Sequence, residues 1–248
     1  VTLPVYRHPD LAGVRAGRDL VVDGDEAHHA VVVRRTRAGE RVVLADGAGT
    51  SALCTVTAAA KGRLEVRVEE CAADPEPLPR VSVVQAVPKG ERGELAVSVL
   101  TEVGVARVVP WAAERCVATW KGERAAKGRA KWEATARESA KQARRTWFPD
   151  VAALASTDDV VALVGETDLA LVLHEAEGGV AIDALDLSDV RDVLVVVGPE
   201  GGLSDAELDR LTAAGARTVR LGAEVLRTST AGVAAVAALL SRTPRWGA

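Results

Sequence analysis

Two short segments near the C-terminus hold the residues whose types and order could do chemistry. Gly198-Pro199-Glu200-Gly201-Gly202 follows the apolar run Val193-Leu194-Val195-Val196-Val197, and Leu221-Gly222 leads through Val225-Leu226-Arg227 into Thr228-Ser229-Thr230-Ala231. Such an apolar run reads as a strand buried on both faces. A glycine-rich loop at the C-terminal end of a strand, opening into a helix, is where open α/β sheets bind small ligands. Glycine lets backbone approach a ligand, and the helix start offers N–H groups. The loop has neither the lysine of a Walker phosphate loop nor G-x-G-x-x-G spacing. Its Glu200 repels phosphate and suits a ribose hydroxyl or a cationic ligand. The three hydroxyls Thr228, Ser229 and Thr230 can cap a following helix or bond a ligand. His174-Glu175 follows the run Leu169–Leu173, which puts it on the same sheet edge, although a lone histidine at a strand end is more often structural.

A second pattern interleaves aromatics with cations. Between Arg115 and Arg145 there are ten basic residues and three acidic ones, with Trp120 and Trp132 among them and Trp111 and Trp147 on the flanks. At helical spacing Arg137, Lys141 and Arg144 or Arg145 share one face, opposite Trp132, Ala136, Ser139 and Ala143. The tryptophans suit a core. The cations exceed what a solvated face needs and suit RNA or another polyanion. The net charge of −4 conceals this, because residues 80–150 carry 14 basic against 8 acidic side chains while 151–248 carry 7 against 15. His28-His29 with Arg34, Arg35 and Arg37 forms a smaller basic cluster near the N-terminus.

These residues need elements to position them. The 248 residues are enough for one or two domains. Val/Leu-rich strands at 40–45, 51–58 and 63–70, separated by Asp46-Gly47-Ala48-Gly49 and Lys61-Gly62, predict a small β-barrel over residues 1–73. Three prolines within 73–79 mark a linker. From residue 80 the rhythm becomes strand then helix, which implies a parallel sheet. Strands are expected at 81–87, 105–109, 169–173, 193–197 and 218–221. Helices are expected at 94–103, over the basic stretch 123–145, at 204–214 with a Ser204/Glu207 capping box, and at 231–240. No apolar run is long enough for a membrane span and the N-terminus has no signal pattern. Cys54, Cys71 and Cys116 are odd in number and far apart, which suits buried thiols in the cytoplasm. No zinc spacing and no nucleophile elbow is present, so no metal is expected.

The quoted motifs resemble the RsmE family of ribosomal RNA methyltransferases, in the SPOUT class. The matching residues run in order along almost the whole chain: His29, Arg35 and Asp46-Gly47; Lys89-Gly90-Glu91-Arg92; Glu102-Val103-Gly104-Val105; Glu114-Arg115-Cys116; Glu138 to Gln142, Arg145 and Pro149; Gly198–Leu203; and Leu221-Gly222 with Val225–Ala231. The resemblance implies a PUA-like barrel over residues 1–73 for RNA docking. It implies a SPOUT domain over 80–248 with a parallel sheet and a trefoil knot, an exception to the rule against threaded chains. It further implies a homodimer, joined through the small residues of 231–240, and S-adenosylmethionine as methyl donor. The acceptor would be N3 of one uridine in small-subunit ribosomal RNA.

Carried onto this chain, the cofactor loops are Leu173, His174 and Glu175, then Gly198–Gly202, then Leu221, Gly222 and Val225–Ala231. Ser229 stands where the family often has glutamate. His29, Arg35, Lys89, Arg115, Arg137, Lys141 and Arg144 would face RNA. Arg92 and Arg145 are the cations that could stabilise an anionic base, with Lys89 behind them and Glu102 orienting one of them. Two other readings use the same residues. A nucleotide-dependent oxidoreductase would place NAD in the same loops but leaves the basic helix unexplained. An RNA-binding assembly factor without catalysis leaves the glycine loop unexplained.

Overall fold

The computed structural model describes residues 3–175 and 179–246, and the chain divides into two compact units. The first comprises the residues up to Glu76 together with Ala140–Phe148; the second comprises Pro77–Ser139 and the residues from Pro149 onward. The first run of the first unit ends at Glu76, within the proline-rich segment. The sequence reading had not anticipated the return of 140–148 to the first unit.

The first unit is built on a bent, mixed sheet in the order β1-β3-β4-β5-β2, formed by β1 (Val5–Arg7), β2 (Asp19–Asp23), β3 (Arg41–Ala45), β4 (Thr50–Ala60) and β5 (Arg63–Ala73). Only β1–β3 is parallel. Alternation along β4 and β5 buries Ala52, Cys54, Val56, Leu64, Val66 and Val68 on one face. Two register shifts, at Leu53/Cys54 and Val56/Ala58, bend the long hairpin around that core. Burial pushes the Cys54 thiol up to about 12. A short α1 (Gly24–His28) passes into a wider turn over His29–Val33, where Arg34 N–H reaches the His29 carbonyl. The returning segment is tied in by backbone: Gly49 N–H donates to Thr146 at 3.0 Å and Phe148 N–H to Gly47 at 2.9 Å. Gly49 is glycine by necessity, since a Cβ there would lie 2.7 Å from the Trp147 indole.

The second unit is a seven-stranded sheet in the order β10-β12-β9-β11-β6-β7-β8, parallel throughout. Its elements are β6 (Arg80–Ala86), α2 (Arg92–Val103), β7 (Arg107–Trp111), α3 (Glu123–Gln142, whose last three residues belong to the first unit), β8 (Asp150–Val151), α4 (Thr157–Gly165), β9 (Leu169–Leu173), β10 (Val180–Ala181), β11 (Asp192–Val197), α5 (Asp205–Ala213), β12 (Arg217–Arg220) and α6 (Thr228–Leu240). Val193–Val197 is buried at every position, as a central parallel strand must be. One side of the sheet packs Val81, Val83, Val195 and Val197 against Val97 and Leu100 of α2, Trp132 of α3 and Ala235, Val236 and Leu239 of α6. The other packs Val84, Val109, Leu194 and Val196 with Val160 of α4 and Leu211 of α5. Helix α6 begins at Thr228, three residues earlier than expected. Gly232 lets it pack closely on the chain's own core: a Cβ there would come within 3.2 Å of Leu100 and 3.3 Å of Val197. Among the described residues no helix is long and apolar enough to cross a membrane.

One ion pair and one carboxylate that accepts two backbone N–H groups carry consequences. Lys141, expected on the RNA-facing surface, is instead buried, and its ammonium meets the Glu26 carboxylate at 2.8 Å within the first unit. The helical face of the cations turns inward at this position, so the charge serves the fold. Lys141→Ala leaves the half-buried Glu26 without its cation and is expected to cost about 2 kcal/mol, measured by denaturant unfolding. In the second unit Asp168 accepts the N–H groups of Arg191 and Asp192, both at 2.9 Å, fixing the approach to β11. These bonds hold its carboxyl below the usual carboxylate range. Its contribution is therefore present above the unfolded-state pKa and fades as pH falls through the lowered folded-state value. Asp168→Asn should lower Tm at neutral pH, with the difference from wild type disappearing in acid.

Candidate functional site

Because the second sheet is parallel throughout, the C-terminal ends of its strands lie along one edge, and the connections leaving them build a single cleft of about 860 Å³. Leu173, His174 and Glu175 come from the end of β9, and Val197–Gly202 from β11. Val219–Leu226 with Arg227, Thr228 and Ala231 comes from β12 and the start of α6, with Arg115 after β7 and Arg92 at the head of α2. Every expected cofactor-loop residue except Ser229 and Thr230 lines this cleft. Ser229 is buried in the first turn of α6. The N-cap of α6 is Arg227, so the three hydroxyls sit inside the helix rather than before it.

The glycine-rich loop owes its glycines to the chain as much as to any ligand. A Cβ on Gly201 would stand 3.0 Å from the Arg115 carbonyl oxygen, so Gly201 is where the loops after β11 and β7 press together. Gly202 has φ of +71°, a left-handed conformation that glycine adopts freely. Arg115 completes the clamp by donating to the Leu203 carbonyl at 3.0 Å. Its guanidinium, expected on RNA, donates to the end of the glycine-rich loop. Beneath the β12 connection, Gln85 of β6 donates to the carbonyls of Ala86 and Thr228 and pins the start of α6.

Three carboxylates organise the cleft. Glu200 accepts the Lys89 backbone N–H at 3.2 Å and lies 3.8 Å from the Arg92 guanidinium, so it links the β6–α2 loop to the glycine loop. Glu102, expected to orient one of Arg92, Arg145 and Lys89, lies ten residues beyond Arg92 on α2, about 15 Å by helical rise, and accepts from Ser98. Glu200 is the carboxylate that stands beside Arg92. Glu207 is buried; besides closing the α5 capping box it accepts Glu114 N–H at 2.9 Å and the Thr157 hydroxyl at 3.2 Å. It joins the starts of α4 and α5 to the loop after β7. The sequence signal for Glu207 was the capping box alone, which carries no hint of the other two bonds. The third, Glu175, lies exposed at the mouth of the cleft.

The remaining cations divide between the units. Lys89 and Arg137 are exposed in the second. His29, Arg35, Arg144 and Arg145 belong to the first, where His29 packs edge-on against Tyr6 at 6.2 Å. Arg35 and Arg144 are exposed, and both hold positive φ, +57° and +54°, the sole non-glycine residues to do so among those described. Each ends a helical segment where glycine is the usual residue. No cluster of three or more metal-ligating side chains occurs among the described residues.

A family model described as an RNA methyltransferase domain matches residues 74–240, and one described as an RNA methyltransferase PUA domain matches residues 22–69. The chain is 46% identical to the ribosomal RNA small subunit methyltransferase E of Mycobacterium tuberculosis, covering 94% of this chain and 90% of that protein. It is 30% identical to the protein of the same name from Bacillus subtilis, with 90% of each covered. Among solved structures, a Legionella pneumophila methyltransferase in complex with S-adenosylmethionine aligns with a TM-score of 0.89 at 27% identity, over 97% of this chain and 98% of that one. Ribosomal RNA small subunit methyltransferase E from Neisseria gonorrhoeae, bound to S-adenosylmethionine, aligns at 0.82 and 26%, with the same coverage. The cleft, the parallel sheet that builds it and the matched models agree: this chain belongs to the RNA methyltransferase family that includes the ribosomal RNA small subunit methyltransferase E proteins.

Proposed function

We propose that this protein transfers a methyl group from S-adenosylmethionine to small-subunit ribosomal RNA, with N3 of a uridine as acceptor. The single observation that carries the reading is the cleft at the carboxyl edge of the sheet, in a fold shared with methyltransferases whose structures hold that donor. Its residues fit the donor chemically. Leu173, Val197, Leu221 and Ala231 offer an apolar floor for adenine, while Glu200 and Glu175 suit ribose hydroxyls and positive charge. An NAD-dependent reaction has less support, since no residue set here favours a pyrophosphate.

The donor supplies a methyl group already activated on a sulfonium, so the chain's own task is alignment and charge. Uridine N3 bears a proton at neutral pH that must leave before or during attack. The Arg92 guanidinium, held at the cleft by Glu200, stabilises the anionic base that results. Solvent takes the proton. Arg35 and Arg144 bind RNA phosphates.

Calorimetric titration with S-adenosylmethionine should give saturable heat, and Arg92→Ala should keep that affinity while kcat falls by about 10²–10³-fold. Equal loss of affinity and turnover would make Arg92 a part of the cofactor loop instead. Mass spectrometry of the methylated RNA should find N3-methyluridine; a methyl group on ribose or on another base would refute the acceptor assignment. The same reading makes the chain a knotted homodimer. Val225, 77% exposed, with Leu226 and Leu95, gives a second copy an apolar surface to cover. Light scattering should return about twice the 25.9 kDa chain mass, and a fully active monomer would exclude the dimer.

A further inference from the structure

A second cavity of about 250 Å³ lies in the second unit, on the same β6–α2 segment that borders the cleft. Pro88, Gly90 and Glu94 line it, whereas Arg92, between them in sequence, lines the cleft. Its aromatic wall is Trp120 and Trp132, packed edge to face with ring centres 5.0 Å apart. Glycines let α2 and α3 close around these rings: a Cβ would stand 2.8 Å from Trp132 at Gly93 and 2.5 Å from Trp120 at Gly128.

Glu94 is the informative group. One of its oxygens accepts from Lys131 at 2.9 Å, and the other, Oε2, is buried with no hydrogen-bond partner. A buried acceptor left unmatched is unfavourable, and a charged one more so. The cavity therefore offers an aromatic surface, one unfilled acceptor, and the exposed ammonium groups of Lys127 and Lys131 one helical turn apart. A simple anion would meet Glu94 in repulsion, and an aliphatic ligand would leave Oε2 unmatched. A nucleotide satisfies all three features: its base stacks, an N–H on its edge donates to Glu94, and its phosphates meet the lysines.

We propose that this cavity is a nucleobase subsite, taking one unstacked base from the RNA strand whose neighbouring nucleotide enters the methyl-transfer cleft. The proposal rests on the methyltransferase reading above and adds to it a determinant of sequence context. Arg92 and Glu94, two residues apart, would then serve adjacent stretches of one strand.

The test uses the full chain with saturating S-adenosylmethionine and small-subunit RNA fragments carrying a single abasic nucleotide, scanned along the positions flanking the methylated one. In the wild-type protein one flanking abasic position should weaken RNA binding about tenfold, the scale of one lost base stack. Trp120→Ala and Glu94→Met should each weaken binding of intact RNA by a similar factor with unchanged donor affinity. Neither should weaken binding further at that abasic position, because the partner is already gone. Glu94→Met keeps the side-chain reach and leaves the Trp packing in place, so it decides the matter if Trp120→Ala fails to fold. Losses that simply add, or a scan in which no abasic position matters, overturn the subsite while methylation itself stands. A wild-type protein that neither binds the donor nor methylates RNA overturns the methyltransferase reading and the subsite with it.

Discussion

The parallel direction of all seven strands in the second unit is the constraint on which its chemistry depends. In an antiparallel sheet, successive strand ends alternate between edges and no two neighbouring connections could share a pocket. Here β6, β7, β9, β11 and β12 all discharge their connections on one side, and each connection contributes to the cleft. The wall is made of loop backbone and short side chains rather than of one catalytic residue. Burial of Val193–Val197 on both faces holds the central strand, and with it the glycine loop, at a fixed height. The cleft is thus a property of sheet topology before it is a property of any one residue.

Carboxylates then join connections that the topology only brings near. Glu200 ties the loop after β11 to the one after β6, and Glu207 ties α4 and α5 to the loop after β7. Both point their oxygens at backbone N–H groups, which accept no substitute among neutral side chains of the same length without loss of charge-assisted bonding. The acidic excess of the last hundred residues, odd for a protein that handles a polyanion, is partly explained by this internal use.

Much of this was legible in the sequence. The strand-to-glycine-loop transition at Val197-Gly198 marked the cleft, because a buried strand and a tight turn leave local signals. The capping box at Ser204 was equally plain. The capping box at Ser156, closed by Asp159, was there to read and passed unnoticed, so α4 was missed. The tiny strands β8 and β10 have two residues each and no pattern to detect. Lys141 could not be read correctly, because helical periodicity assigns a face but cannot know that Glu26, far away in sequence, waits beneath it. The orphan oxygen of Glu94 has no sequence signature at all.

The return of Ala140–Phe148 to the first unit has a consequence for biosynthesis. Asp74 lies near the end of the first run of that unit, yet its carboxylate and carbonyl are engaged by Thr146 and Trp147, some seventy residues later. A nascent chain emerging from the ribosome therefore cannot finish its N-terminal module when residue 76 appears. It must wait with the Gly47–Gly49 corner unfilled until α3 has been made and its tail has doubled back. Maturation of the two modules is interlocked in time, and an expression boundary drawn at the proline-rich linker would release a fragment lacking its own closing piece.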